Sequence, residues 1–208
     1  MVITYYGKGF VRLSFGDMVV AINPISKNAD AKSSRFGADI VLSSLRAPAF
    51  NGFENMTGGS KEPFAIDGAG EYELSDVFIR GYESVGPEAK INTVYTVILE
   101  GMKIVHLGAL AEANLSDEII EEVTGADILF VPAGDEGSLL AKEAGKLASS
   151  LIPKIVIPVL YGEEKKSPAL LTFAKEVGGG DVKPLDKLSI KKKDLELKEG
   201  ELVVLEVI

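Results

Sequence analysis

Residues 93–107 read TVYTVILEGMKIVHL, and this stretch separates two kinds of structure along the chain. Thr93–Leu99 and Met102–Leu107 are rich in β-branched and aromatic residues. The Glu100-Gly101 pair between them is a tight-turn signal, so the stretch predicts a β-hairpin. Upstream, the apolar residues recur with a strand's period. Val2–Tyr6, Phe10–Phe15 and Met18–Asn23 are expected strands, joined by turns at Gly7–Gly9 and Gly16-Asp17. Asp39–Ser43 is a short apolar run of the kind a buried strand shows. Phe64–Ile66, Glu71–Leu74 and Val77–Arg80 read as a meander broken by Gly and Asp, and Ile25–Phe36 and Leu45–Ser60 as loop, the latter with room for one helical turn.

Downstream of the hairpin the period changes. Ser116 is a good N-cap, and Asp117 and Glu118 suit the first turn of a helix that ends near Gly125. Asp127–Pro132 and Lys154–Leu160 read as buried strands. Leu139–Leu151 predicts an amphipathic helix with Leu139, Leu140, Ala144, Leu147 and Leu151 on one face. Pro168–Val177 predicts a helix stopped by Gly178-Gly179-Gly180, a run without the Lys and Ser/Thr that follow in a phosphate-binding loop. Lys183–Ile190 and Leu202–Val207 are expected closing strands. With no linker long enough to separate units, residues 1–208 are expected to form one domain of mixed sheets with helices outside.

Composition narrows the function. A net charge of −9 and the absence of Trp disfavour a nucleic-acid partner. The basic run Lys191–Lys193 is read as a solvated strand end or turn. There is no Cys, hence no disulfide, thiolate metal site or Cys nucleophile. No apolar run reaches the ~20 residues of a membrane helix, and the first residues lack a signal peptide's pattern. A cytoplasmic protein without a membrane partner is the expectation. His106 is the single histidine, and zinc is usually held by Cys and His with carboxylates as helpers, so a standard catalytic zinc site is improbable on composition alone.

The order of segments resembles the small prokaryotic β-lactamase-like, zinc-dependent hydrolases of the metallo-β-lactamase superfamily. Ile3–Gly9 is similar to the opening strand and Gly-His-Ser turn of that group, with Lys8 in place of the His. Ile22-Asn23-Pro24 resembles Ile/Thr-Asp-Pro, and Ala38-Asp39-Ile40-Val41 resembles the strand before the metal motif. Asp67-Gly68-Ala69-Gly70-Glu71-Tyr72-Glu73 resembles Gly-Pro-Gly-Glu-Tyr-Glu. Asn92–Tyr95 with Val105-His106-Leu107-Gly108 resembles the central hairpin. Ala141-Lys142-Glu143-Ala144 and Ile155-Val156-Ile157-Pro158 close a collinear match over nearly the whole chain. The resemblance implies an α/β (α+β) fold, a metallo-β-lactamase-like four-layer αββα sandwich with two mixed β-sheets. It also implies zinc as the cofactor of active relatives, and self-association into a homo-oligomer.

The departures from that pattern fall on the metal ligands. The signature His-X-His-X-Asp-His corresponds here to Leu45, Arg46, Ala47, Pro48, Ala49 and Phe50. The third His falls near Gly86, the bridging Asp at Ala109 and the final His at Leu160. His106 matches a residue outside the usual ligand set and is expected to be a hydrogen-bonded structural group. A ligand cluster left without its metal strands buried polar groups, at roughly 1–3 kcal/mol each. Apolar side chains remove that cost, so Leu45, Ala47, Ala49, Phe50, Gly86, Ala109 and Leu160 are expected to mark a vestigial metal site that packs shut. No cofactor is expected. The leading expectation is a non-catalytic interaction, ligand-binding or oligomer-forming module with an unknown protein or small-molecule partner. Two alternatives stand beside it. One is a metal-dependent hydrolase using atypical ligands. The other is an enzyme of another kind built on a residual polar cleft of Lys8, Asn23, Arg46, Glu71, His106, Asp135, Glu136 and Tyr161, although no Gly-X-Ser-X-Gly elbow is present.

Overall fold

The computed structural model describes residues 1–58, 62–134, 136–162, 167–180 and 183–208. The first sheet has six strands in the order β12-β1-β2-β3-β4-β5. These are β1 (Val2–Tyr5), β2 (Val11–Phe15), β3 (Met18–Ile22), β4 (Ile40–Leu42), β5 (Phe64–Ile66) and β12 (Leu188–Ser189). The second has seven, in the order β13-β11-β10-β9-β8-β7-β6. These are β6 (Gly70–Leu74), β7 (Val77–Val85), β8 (Ile91–Leu99), β9 (Met102–His106), β10 (Ile128–Pro132), β11 (Ile155–Val159) and β13 (Glu201–Leu202). Both sheets are mixed: β3–β4–β5 run parallel in one and β9–β10–β11–β13 in the other, while the remaining pairs are antiparallel. The helices are α1 (Asp117–Val123), α2 (Ala141–Ser150) and α3 (Pro168–Glu176). Two mixed sheets with few helices make the α/β sandwich that the resemblance implies.

Alternation along the strands explains the layers. Ile3 and Tyr5, Val11 and Leu13, Val20 and Ile22, and Ile40 and Leu42 face a large core shared with Val77, Ile79, Tyr95, Val97, Ile104 and the second sheet's central strands. The opposite face of the first sheet presents Phe10, Ala21 and Val41, which pack with Ile25, Ala38 and Met56. Segments 23–39 and 43–58, the latter with one 3-10 turn at Phe53–Asn55, flank β4 and cover this face. The helices gather on the outer side of the second sheet, where α2 packs on β10 and α3 on α2.

Several boundaries differ from the sequence expectation for physical reasons. β7 runs through Gly81 instead of stopping at Arg80. A Cβ on Gly81 would lie 2.9 Å from the Gly68 carbonyl and 3.0 Å from the Tyr95 ring, so the glycine marks close packing inside a strand and not its end. α2 begins at Ala141, leaving Leu139 buried before the helix and Leu140 at its N-cap, exposed and off the apolar face. The closing segments pair regularly only at Leu188–Ser189 and Glu201–Leu202, supplemented by single bridges Leu185–Leu205 and Tyr5–Val207. Among the described residues, no helix is long and apolar enough to cross a membrane.

Candidate functional site

The carboxyl ends of β3, β4, β9 and β11 meet at one edge of the sandwich, the position where open α/β sheets place ligands. The segments that follow them supply Asn23, Ser43–Phe50, Leu107–Ala109 and Leu160. Turn 7–9 after β1 and Gly86 after β7 complete the ring. Leu45, Phe50, Ala109 and Leu160 pack into a separate apolar cluster, with Ala47 and Ala49 partly buried against it. A Cβ on Gly86 would touch Leu45 Cδ1 at 3.4 Å, and one on Gly9 would meet the Phe50 ring at 3.3 Å, so both glycines pack against the same plug. Residues far apart in the chain thus meet in one apolar cluster.

Beneath the plug lies a buried polar layer that ties the two sheets together. Asn92 Nδ2 donates to the Leu107 carbonyl at 3.0 Å and to Ser84 Oγ at 2.8 Å, while its Oδ1 accepts the Ala109 N–H at 2.7 Å. Asn23 Oδ1 accepts the Ser44 N–H at 2.8 Å. The Tyr95 hydroxyl donates toward the Ser43 carbonyl, 2.9 Å away, and burial raises its pKa well above the ordinary phenol value. His106 Nδ1 accepts the Gly108 N–H at 2.9 Å, which leaves Nε2 to carry the proton toward the Gly9 carbonyl at 3.1 Å. Burial lowers the imidazole pKa to about 4, against the opposing pull of the Gly9 hydrogen bond. The ring is therefore neutral near pH 7 with both nitrogens committed to main chain, and it stacks on Phe130 at 5.4 Å.

Some of the left-handed backbone of the chain lies at the site. Lys8, Asn23, Glu136 and Leu160 all adopt left-handed φ between 51° and 55°. For Leu160 this costs about 1–2 kcal/mol, held in place by its N–H bond to the Lys8 carbonyl at 2.9 Å and by burial in the plug.

The residual polar residues do not form one cleft. Lys8 pairs with Glu136 at 2.8 Å and borders a 230 Å³ recess on the Leu160 side of the plug. Arg46 pairs with Asp67 at 3.2 Å, beside a 320 Å³ recess on the Leu45 side. Two expectations are corrected. Glu71 lies on the outer face of β6, paired with Arg80 at 3.2 Å, because strand alternation sends it away from the plug. Tyr161 is buried with its hydroxyl 3.1 Å from the Leu205 carbonyl; burial, then the Glu206 charge, raise its pKa to about 12. Asp135 lies outside the described residues. Asn92 is the central polar group that sequence reasoning did not single out. Its signal was an amide preceding a β-branched run, where a buried strand leaves few polar partners.

The donor chemistry does not fit a zinc ion. The plug positions carry hydrocarbon or no side chain, His106 uses both nitrogens, and among the described residues no group of three or more His, Asp or Glu converges. Yet sheet order, strand-end loops and αL turns define a metallo-β-lactamase-like sandwich. The β-lactamase superfamily domain model matches residues 2–160, and the chain belongs to that family. A Thermotoga maritima protein of the metallo-β-lactamase superfamily, named as a candidate Zn-dependent hydrolase, is 26% identical with a TM-score of 0.78, over 99% of this chain and 98% of that one. A candidate metal-dependent hydrolase from Parabacteroides distasonis superposes with a TM-score of 0.68 at 15% identity, over 99% and 93% of the two chains. A UPF0173 protein of Pyrococcus furiosus is 29% identical over 93 residues, a match spanning 44% of this chain and 42% of that relative's length.

Proposed function

We propose that this chain is a non-catalytic member of the superfamily, a cytoplasmic module that works by binding a partner or small molecule or by forming oligomers. The observation that carries the reading is the apolar plug of Leu45, Phe50, Ala109 and Leu160 at the positions that the resemblance assigns to metal ligands. Metal-dependent hydrolysis relies on a bound ion both to generate the nucleophile and to polarise the substrate, and hydrocarbon side chains supply neither function. The competing reading, a hydrolase with atypical ligands, draws on the names of its structural relatives.

Elemental analysis of protein grown with added zinc and purified without chelator tests the choice. We expect no stoichiometric zinc, together with no turnover of esters, phosphodiesters or lactams above background. About one zinc per chain, removed by chelator along with an activity, would overturn the proposal. Sizing across a concentration series reports separately on self-association.

A further inference from the structure

We infer that the outer face of β6–β8, beside α1, is a docking surface for a lysine- or arginine-rich amphipathic segment of a partner protein. It is a different face from the plug and stands whether or not the plug reading holds. Strand register lays out this face in two rows. Glu73 pairs with Phe78 and Phe78 with Ile98; Glu71 pairs with Arg80 and Arg80 with Thr96. Phe78 is 47% exposed although β7 has a paired strand on each side. Phe78, Ile98 and Thr96 line a cavity of about 490 Å³ together with Glu71 and Glu73 on the edge strand, Glu122 on α1, and Arg80 between the carboxylates. Thr96 Oγ1 is buried there and has no hydrogen-bond partner among the described residues.

A sheet face with exposed apolar side chains needs cover. Among the described residues, α2 packs on β10 and α1 meets β7 through Glu122, while Phe78 stays 47% exposed and Ile98 partly exposed. Charge selects what covers it. The face already shows what its carboxylates hold: Arg80 lies 3.2 Å from Glu71 and 3.1 Å from Glu122, and both acids raise the guanidinium pKa, Glu122 most. Lys103, at the end of the Phe78–Ile98 row, is turned to cap the α1 carbonyls of Glu122 and Thr124. Glu73, and Glu118 on α1, have no ion pair among the described residues. An apolar strip between acidic walls suits a segment with apolar residues on one side and cations flanking them. A second copy of this chain is disfavoured, because it would bring the same carboxylates and another net charge of −9.

The test uses the full chain and a fluorescent 14-residue amphipathic peptide of Leu and Lys, with a Leu and Glu peptide as control. We expect saturable binding of the Lys peptide only, weakened about tenfold or more by Phe78→Asp, an interface-centre change, and by the pair Glu71→Lys with Glu73→Lys. The pair Glu196→Lys with Glu199→Lys makes the same net-charge change elsewhere and should leave binding within about twofold. Circular dichroism of each variant confirms folding. A Thr96→Val variant, which removes the buried hydroxyl, should fold and retain binding within about threefold. Absence of saturable binding, equal weakening by the two charge-reversal pairs, or indifference to Phe78→Asp would overturn the inference.

Discussion

The plugged mouth and the outer face of β6–β8 belong to the same molecule but are finished in opposite ways. At the mouth, the loops after the strand ends fill the space with hydrocarbon over a hydrogen-bonded floor. On the outer face, Phe78 is exposed among charges and a buried hydroxyl has no partner among the described residues. Closed packing gives stability and little capacity to bind. Open apolar surface between acidic walls gives the reverse. The comparison teaches that the filling of the strand-end mouth does not by itself say which surface the protein uses.

The largest expected effects break the closed region. Phe50→Ala removes a fully buried ring from the plug and should cost about 3–5 kcal/mol in a denaturant melt; a cost below about 1 kcal/mol would mean that the plug collapses around the gap. Asn92→Leu leaves the Ala109 N–H and the Leu107 carbonyl unsatisfied, which at roughly 1–3 kcal/mol for each buried group makes it the next most damaging change.

Acid sharpens the same comparison. Because the folded-state pKa of His106 is lowered to about 4 from 6.5, the unfolded chain binds a proton that the native chain refuses between those values. Stability should therefore be flat in this respect above pH 6.5 and fall as pH drops from there to about 4, by on the order of 3 kcal/mol at most. His106→Gln should abolish that slope in a pH series of urea melts; an unchanged slope would refute the assignment. Asp127 acts lower on the scale. Burial opposes its ionisation, but hydrogen bonds from Lys154 and Lys192 and from the Lys103 N–H outweigh it and lower its pKa. Its contribution is present above the ordinary carboxylate range and is lost as pH falls through the lowered value. The smallest effect belongs to the open face. Phe78→Asp should leave the melting temperature nearly unchanged, because the ring gains little from burial there, and a large loss would show that the face is structural.

Much of the fold was legible from residues. Strand alternation placed β1 to β3, the 93–107 hairpin and the buried β10 and β11, and Ser116 announced α1. The candidate site was legible only as a set of positions. Leu45, Phe50, Ala109 and Leu160 are separated by long stretches of sequence, and nothing in the local pattern of each requires contact with the others. Glu71 was misplaced because its motif gives its order in the chain, while the face it occupies depends on strand register. Asn92 was passed over because an amide in a strand acquires its role only from the carbonyl and N–H groups that neighbouring strands bring to it.

By itself, the sequence determined that a chain with one His and no Cys lacks the usual means of holding zinc, because donor chemistry is a property of side-chain type. It also determined which segments form strands and helices, because apolar periodicity is local. Only the tertiary structure decided that the plug residues close on one another, that His106 spends both nitrogens on backbone, and that Phe78 and the glutamates share an open face. Those outcomes depend on register and on which loops meet at the strand ends, and long-range packing sets both.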